Sequence, residues 1–308
     1  MRKFWIDTDT ASDDAVALLM ALRWEDVHVE GISIVAGNVP VDMGSRNARY
    51  TVELCGKDTP VYVGAAKPLC REPYWAFFFH GEDGMGGMHY PEPKRAAEPS
   101  FGVDALIEAV RRYPHEITLV TLGPLTNIAI AILKAPDIIE KIPQVVCMAG
   151  AAACLGNITP AAEYNVWVDP EAAKAVFHSG LPILMVGWEH CRGDANLNAE
   201  EMAYVRSFNT PFAHFTIDCN ADAIKANQRW LKDPALGLPD PVTMAIALDP
   251  SICTKKSKHY VTVETGSEVT RGMTVVDERG VLNKEPNIEV CWQIDIPKWK
   301  ETLYRTLK

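Results

Sequence analysis

The chain has 308 residues, 48% of them apolar and 23% charged. That excludes wholesale disorder and suffices to bury a large core, as one α/β domain or two smaller ones. Thirty basic residues against forty acidic ones leave a formal net charge of −10, which argues against a partner such as duplex nucleic acid and leaves small neutral substrates open.

Taken in chain order, residues 3–6 read as a strand and residues 15–22 as an apolar helix. Residues 27–35 form a second strand-like run and a helix is predicted near 41–54. Residues 67–99 are rich in Gly, Pro and aromatics and too long for an ordinary connection, so a flexible active-site loop is expected there. The alternation returns as strand 117–122 and helix 125–133, strand 145–148 and helix 170–177, then strand 181–186. Residues 198–228 read as a mainly helical insertion, polar and aromatic, ahead of Asp240. In the tail, runs 259–263, 273–276 and 288–294 alternate as strands, hairpin-like with turns at Gly266 and around residues 278–280. Strands separated by helices in this way predict an α/β class. The expected form is a single domain over 1–308 with an open, mostly parallel but mixed sheet and helices on both faces.

No apolar run approaches the ~20 residues of a membrane span. The first strand runs straight into Asp7 and Asp9 without the apolar core of a signal peptide. The eight cysteines are far apart and form no CxxC pair, so they read as reduced thiols. A cytoplasmic protein with neither a membrane nor a nucleic-acid partner is expected.

Chemistry concentrates in Asp7-Thr8-Asp9-Thr10-Ala11-Ser12-Asp13-Asp14, four carboxylates in eight residues at the end of the first strand. In open α/β sheets that edge binds ligands. Helix capping by Ser12, Asp13 and Asp14 accounts for one or two of the acids. It leaves Asp7 and Asp9 unexplained, because crowded carboxylates repel one another. A hard divalent cation relieves the repulsion and prefers oxygen donors. Asp-x-Asp also opens the haloacid-dehalogenase phosphatases, but those carry Thr or Val where this chain has Ala11, and they lack the Asp13-Asp14 pair.

The chain resembles the inosine–uridine-type nucleoside hydrolase family, which opens with Asp-x-Asp-x-x-x-Asp-Asp. The likeness continues in Val35-Ala36-Gly37-Asn38, His80-Gly81-Glu82-Asp83-Gly84 and Leu122-Gly123-Pro124-Leu125-Thr126-Asn127. It extends through Gly156-Asn157 to Glu163-Tyr164-Asn165, Val168-Asp169-Pro170, Asp240-Pro241 and Thr270-Arg271-Gly272. The resemblance implies the family's Rossmann-like fold and a Ca²⁺-dependent enzyme that splits ribonucleosides to ribose and free base, commonly as a homodimer or homotetramer. It implies Ca²⁺ on Asp9, Asp14, Asp240 and the backbone carbonyl of Leu122, with Asp7 joining or supporting that set and Asn38 orienting ligands or water. Asp9 is then the base that activates water. Asp13, Asn157, Glu163 and Asn165 hold the ribose, although Asn157 also suits a turn beside Gly156.

One departure matters. Many family members have His just before the late metal-binding Asp, where it protonates the leaving base; this chain has Pro239, which has no ionisable side chain. Aromatic stacking on the base is the expected substitute, with a lean toward purine nucleosides. Trp188 leads and Trp230 follows, with Trp75 and Phe77, Phe78 and Phe79 behind; core packing is an equal reading for each. His80 is expected to contact ribose or base, and His190 is a further candidate acid. The competing functions are hydrolysis of another N-ribosyl compound and nucleoside or ribose binding without turnover.

Overall fold

The computed structural model, which describes residues 1–232 and 234–308, opens on strand β1 (Arg2–Thr8). Its Phe4–Thr8 run is buried throughout, as a strand covered on both faces requires. Helix α1 (Ser12–Arg23), β2 (Val27–Ile34), α2 (Val41–Leu54) and β3 (Val61–Val63) follow. Helix α3 (Phe77–His80) interrupts the long connection before α4 (Gly102–Arg112). Next come β4 (Ile117–Thr121), α5 (Thr126–Lys134), β5 (Gln144–Met148), α6 (Tyr164–Val168), α7 (Pro170–Phe177) and β6 (Ile183–Val186). Three helices, α8 (Ala199–Ser207), α9 (Pro211–Asp218) and α10 (Ala221–Leu231), precede α11 (Pro239–Leu248). The chain closes with β7 (Cys253–Val263), β8 (Thr274–Asp277), β9 (Ile288–Ile294) and α12 (Ile296–Leu307).

Among the described residues, nine strands form one sheet in the order β3-β2-β1-β4-β5-β6-β9-β7-β8. Pairing is parallel from β3 to β9 and antiparallel at β9–β7 and β7–β8, the mixed sheet expected of the class. One apolar layer joins α1, α11 and α12 to one face, and a second joins α4, α5 and α7 to the other. Chain direction across the sheet reverses at β1, which pairs β2 on one side and β4 on the other. The crevice beyond the carboxyl ends of β1 and β4 is therefore the topological switch point. Among the described residues, no helix is long and apolar enough to cross a membrane, and all eight cysteines are free.

The tail departs from the expected pattern. Strands β7 and β8 form a hairpin, but β9 pairs with β7 and β6, not with β8, so the turn around 278–280 joins strands that are not neighbours. Burial explains this: Val290 faces one apolar layer and Cys291 the other, which demands an interior place in the sheet. The periodicity reading also passed over β3, α4 and α12.

Within the long connection, the Asp83 carboxylate accepts from the backbone N–H groups of Met85 (2.8 Å), Gly87 (2.9 Å) and His89 (2.8 Å). These bonds hold Asp83 below the usual carboxylate range against its burial. His80, Asp83 and Met85 are all buried.

Candidate active site

The turn from β1 into α1 is tightly specified. Thr10 adopts a φ of 28°, in a region that β-branched residues avoid. Its neighbours hold it there. Thr10 N–H donates to Thr8 Oγ1 at 3.0 Å, and Asn47 Nδ2 donates to the Thr10 carbonyl at 3.1 Å. Asp14 accepts from the Thr8 hydroxyl at 2.5 Å and from Ala11 N–H at 3.0 Å, so part of its carboxylate does cap α1.

This turn and α11 bring the acids together. Pro239 occupies the first turn of α11, where its missing N–H costs nothing, and it sets Asp240 beside α1. Oxygen atoms of Asp13, Asp14 and Asp240 lie within 4.8 Å of one another, all three residues buried. Asp9 stands next to them, with one oxygen accepting from Asn38 N–H. Asp7 sits one layer deeper, accepting from Ser33 Oγ and from Asn127 Nδ2, the latter at 2.8 Å. Among the described residues, one buried oxygen each of Asp7, Asp9 and Asp13 has no hydrogen-bond partner.

Burial comes first among the causes that lift these carboxyls above their ordinary range. Asp7 is pushed up to about 7, and Asp13 and Asp14 to about 6. Asp9 and Asp240 are also raised, by burial and then by the charge of Asp14. An array of buried acids with orphaned oxygens is unfavourable unless a cation or protons neutralise it. The donor set is all oxygen, which suits a hard divalent ion. Asp13, Asp14 and Asp240 lie close enough together to hold one, and Asp9 stands beside Asp14. Leu122, at the end of β4, has its carbonyl within 2.7 Å of Asn165 Nδ2.

The segment expected to grip ribose is built around backbone contacts. Glu163 caps α6, one oxygen accepting from Asn165 N–H at 2.8 Å and the other from Gly150 N–H at 2.8 Å. Burial nevertheless pushes its carboxyl up to about 7. Asn157 Oδ1 accepts from Tyr164 N–H at 2.8 Å, and the Tyr164 hydroxyl donates to the Gly37 carbonyl at 2.7 Å. That hydroxyl ties this segment to the one carrying Asn38. The sequence reading missed the bridge, although Tyr164 lies inside a motif it singled out.

His80 is buried, with Nδ1 at 2.8 Å from Ser12 Oγ and 3.8 Å from Asp13 Oδ1. Burial pushes it down to about 4, so the ring is neutral near pH 7. His190 Nε2–H donates to the Cys291 carbonyl at 2.8 Å. Trp188 and Trp75 are half-buried against the core layer that contains α1. Trp230 is 49% exposed, with its ring centroid 5.6 Å from that of Phe78 and 6.3 Å from that of Phe79. The helix α10 thus meets the short helix that ends in His80.

Residues 4–301 match the family model described as inosine-uridine preferring nucleoside hydrolase. The chain is 36% identical to the pyrimidine-specific ribonucleoside hydrolase RihA of Shewanella woodyi, covering 100% of this chain and 98% of that relative. Among solved structures, the plant nucleoside hydrolase PpNRh1 superposes with a TM-score of 0.93 at 30% identity, covering 99% of this chain and 98% of its own. A purine-preferring ribonucleoside hydrolase from Gardnerella vaginalis gives 0.90 at 30% identity, covering 99% and 98%.

Proposed function

This chain belongs to the inosine–uridine preferring nucleoside hydrolase family, and we propose that it is a Ca²⁺-dependent ribonucleoside N-ribohydrolase with a lean toward purine nucleosides. The observation that carries the reading is the buried carboxylate cluster at the switch point, with the unpartnered oxygens of Asp9 and Asp13. Asp9, Asp14, Asp240 and the Leu122 carbonyl would hold the ion, and Asp13 is close enough to share in it. A bound Ca²⁺ supplies positive charge that lowers the pKa of water and attracts ribose hydroxyls.

Asp9 accepts the proton of the attacking water, and Asn38 keeps that carboxylate in place through its backbone N–H. Asp7, anchored by Ser33 and Asn127, supports the cluster from below. Asp13, Asn157, Glu163 and Asn165 orient the sugar as the bond to the base breaks through a ribosyl-cation-like state. Neutral His80, fixed by Ser12, can hydrogen-bond the substrate but carries no charge to donate.

With Pro239 in place of an acid, activation of the leaving base falls to stacking. Trp230 presents the larger open ring face and, beside Phe78 and Phe79, is the leading partner; Trp188, half-buried on the core layer of α1, is the second. The likeness to RihA supports a second reading, a preference for pyrimidine nucleosides. Release of reducing sugar from inosine, adenosine, uridine, cytidine and 2′-deoxyinosine, with and without chelator, tests the proposal. Expected are chelator-sensitive turnover, faster purine cleavage and a very slow deoxy substrate. Ribose release unaffected by thorough metal removal overturns the metal reading, and faster uridine cleavage overturns the purine lean.

A further inference from the structure

Away from the acid cluster, two thiols face one another across strands β7 and β9. Cys253 Sγ lies 3.1 Å from Cys291 Sγ, about 1 Å beyond a covalent S–S bond of ~2.05 Å. The backbone arranges this meeting. The β7–β9 ladder pairs Cys253 with Ile294, Lys255 with Gln293 and Lys256 with Cys291, shifting register twice within four residues. Cys253 and the ladder partner of Cys291, Lys256, stand three residues apart, with both shifts between them. Such irregularities re-aim side chains, and here they turn the two sulfurs toward each other.

The environment separates Cys253 from the other cysteines: its hydrogen bond and then burial raise Cys291, and burial raises Cys154. Cys253 is half-buried at the start of β7, within reach of small solutes, while Cys291 is buried behind it. A hydrogen bond from Cys291, and then the charge of Lys256, hold the Cys253 thiol below its ordinary range against its burial. Burial instead pushes Cys55 and Cys147 up to about 12. Cys191 and Cys219 are buried and raised as well. Cys70 is exposed. Among the described residues, no other two thiols are in hydrogen-bonding contact.

We propose that Cys253 and Cys291 are a redox modification site, which hydrogen peroxide converts to a reversible internal disulfide joining β7 to β9. The Cys253 thiolate attacks one peroxide oxygen; the O–O bond breaks, hydroxide leaves and takes up a proton to become water, and Cys253 becomes a sulfenic acid. The Cys291 sulfur then attacks the Cys253 sulfur. The S–O bond breaks, the second oxygen leaves as water with the remaining thiol proton, and the S–S bond forms. Two electrons pass from the sulfurs to peroxide, and a dithiol reductant reverses the change. The link would also touch the neighbouring segment, since the Cys291 carbonyl accepts from His190 Nε2–H.

The test treats the native full-length chain with graded hydrogen peroxide, alkylates it under denaturing conditions without reductant, and maps its peptides by mass spectrometry. The expected result is a linked Cys253–Cys291 peptide pair, two hydrogens lighter than the free pair and resolved by dithiothreitol. It should reach most molecules at a dose that leaves Cys55 and Cys147 open to alkylation. In Cys291→Ser, or in Cys291→Ala should the first not fold, Cys253 is expected to persist as a sulfenic acid that dimedone labels. Finding Cys253 and Cys291 both alkylated as free thiols, at a dose that has already oxidised Cys70, overturns the proposal. Cys253 linked to Cys70 of a second molecule overturns it equally.

Discussion

Gly37 lies against Asp9 so closely that a Cβ at position 37 would stand 2.1 Å from Asp9 Oδ2 and 2.7 Å from Cγ. The same oxygen accepts the backbone N–H of Asn38, so the missing side chain and the hydrogen bond together fix the carboxylate proposed as base. A misplacement of about 1 Å at a reacting group can cost on the order of 10²-fold in rate. Gly37→Ala is therefore expected to lower kcat/KM by about two powers of ten while the protein still folds. Steady-state kinetics beside a circular dichroism melt checks this, and near-normal turnover in a folded variant contradicts it.

Metal retention should depend on α11 as much as on the first turn. Asp240→Asn keeps the size of the side chain at the start of α11 but removes one of the three clustered charges. It is expected to lose bound Ca²⁺ and nearly all activity, with a melting temperature close to that of the metal-free parent. Asp14→Ala should do the same and melt lower still. Asp14 also accepts from Thr8 and Ala11, and losing such a cap costs about 1 kcal/mol. Elemental analysis of the purified variants and their melting curves separate the two effects.

The raised carboxyls give the metal-free protein a distinctive pH response. Burial pushes Asp7 and Glu163 up to about 7, and Asp13 and Asp14 to about 6, from ordinary values of 3.8 for Asp and 4.5 for Glu. Between those limits the folded chain binds more protons than the unfolded one, so stability falls as pH rises. The contribution is complete below about pH 4 and is lost as pH climbs through about 6 to 7. In chelator, the melting temperature is expected to drop by roughly 5 °C or more from pH 5 to pH 8. Saturating Ca²⁺ should remove most of that slope, because the ion takes over from the protons. A chelated melting temperature that climbs over this interval would falsify the account.

Legibility in the sequence followed the range of the interactions. The acids from Asp7 to Asp14 sit on one short segment, so their crowding could be read directly. The helices over 41–54 and 170–177 were visible because their apolar spacing is local. Strand β9 was placed wrongly beside β8 because pairing between strands is a long-range choice, decided by burial on both faces. Helix α12 did leave a local signal: Asp295 caps it, Pro297 follows, and Trp299, Leu303 and Leu307 recur every four residues. The Ser12–His80 bond and the Tyr164 bridge join residues 68 and 127 positions apart, and no local pattern announces them.

Trp230 and Trp188 make opposite predictions about the leaving base. Trp230 is half-exposed beside Phe78 and Phe79, at the end of α10 that meets the helix carrying His80. Removing its ring uncovers little core, so Trp230→Ala should leave the melting temperature nearly unchanged. Stacking on a base is worth about 1–3 kcal/mol, so the same variant should lose roughly one to two powers of ten in kcat/KM on inosine. Uridine, with its smaller ring face, should lose less. Trp188 packs half-buried on the core layer of α1, and Trp188→Ala should lower the melting temperature. If Trp188 rather than Trp230 holds the base, its variant will also invert the ranking of inosine over uridine, while Trp230→Ala leaves that ranking intact. If neither variant changes the ranking, stacking is not what replaces the missing acid at Pro239, and the leaving base draws its proton from elsewhere.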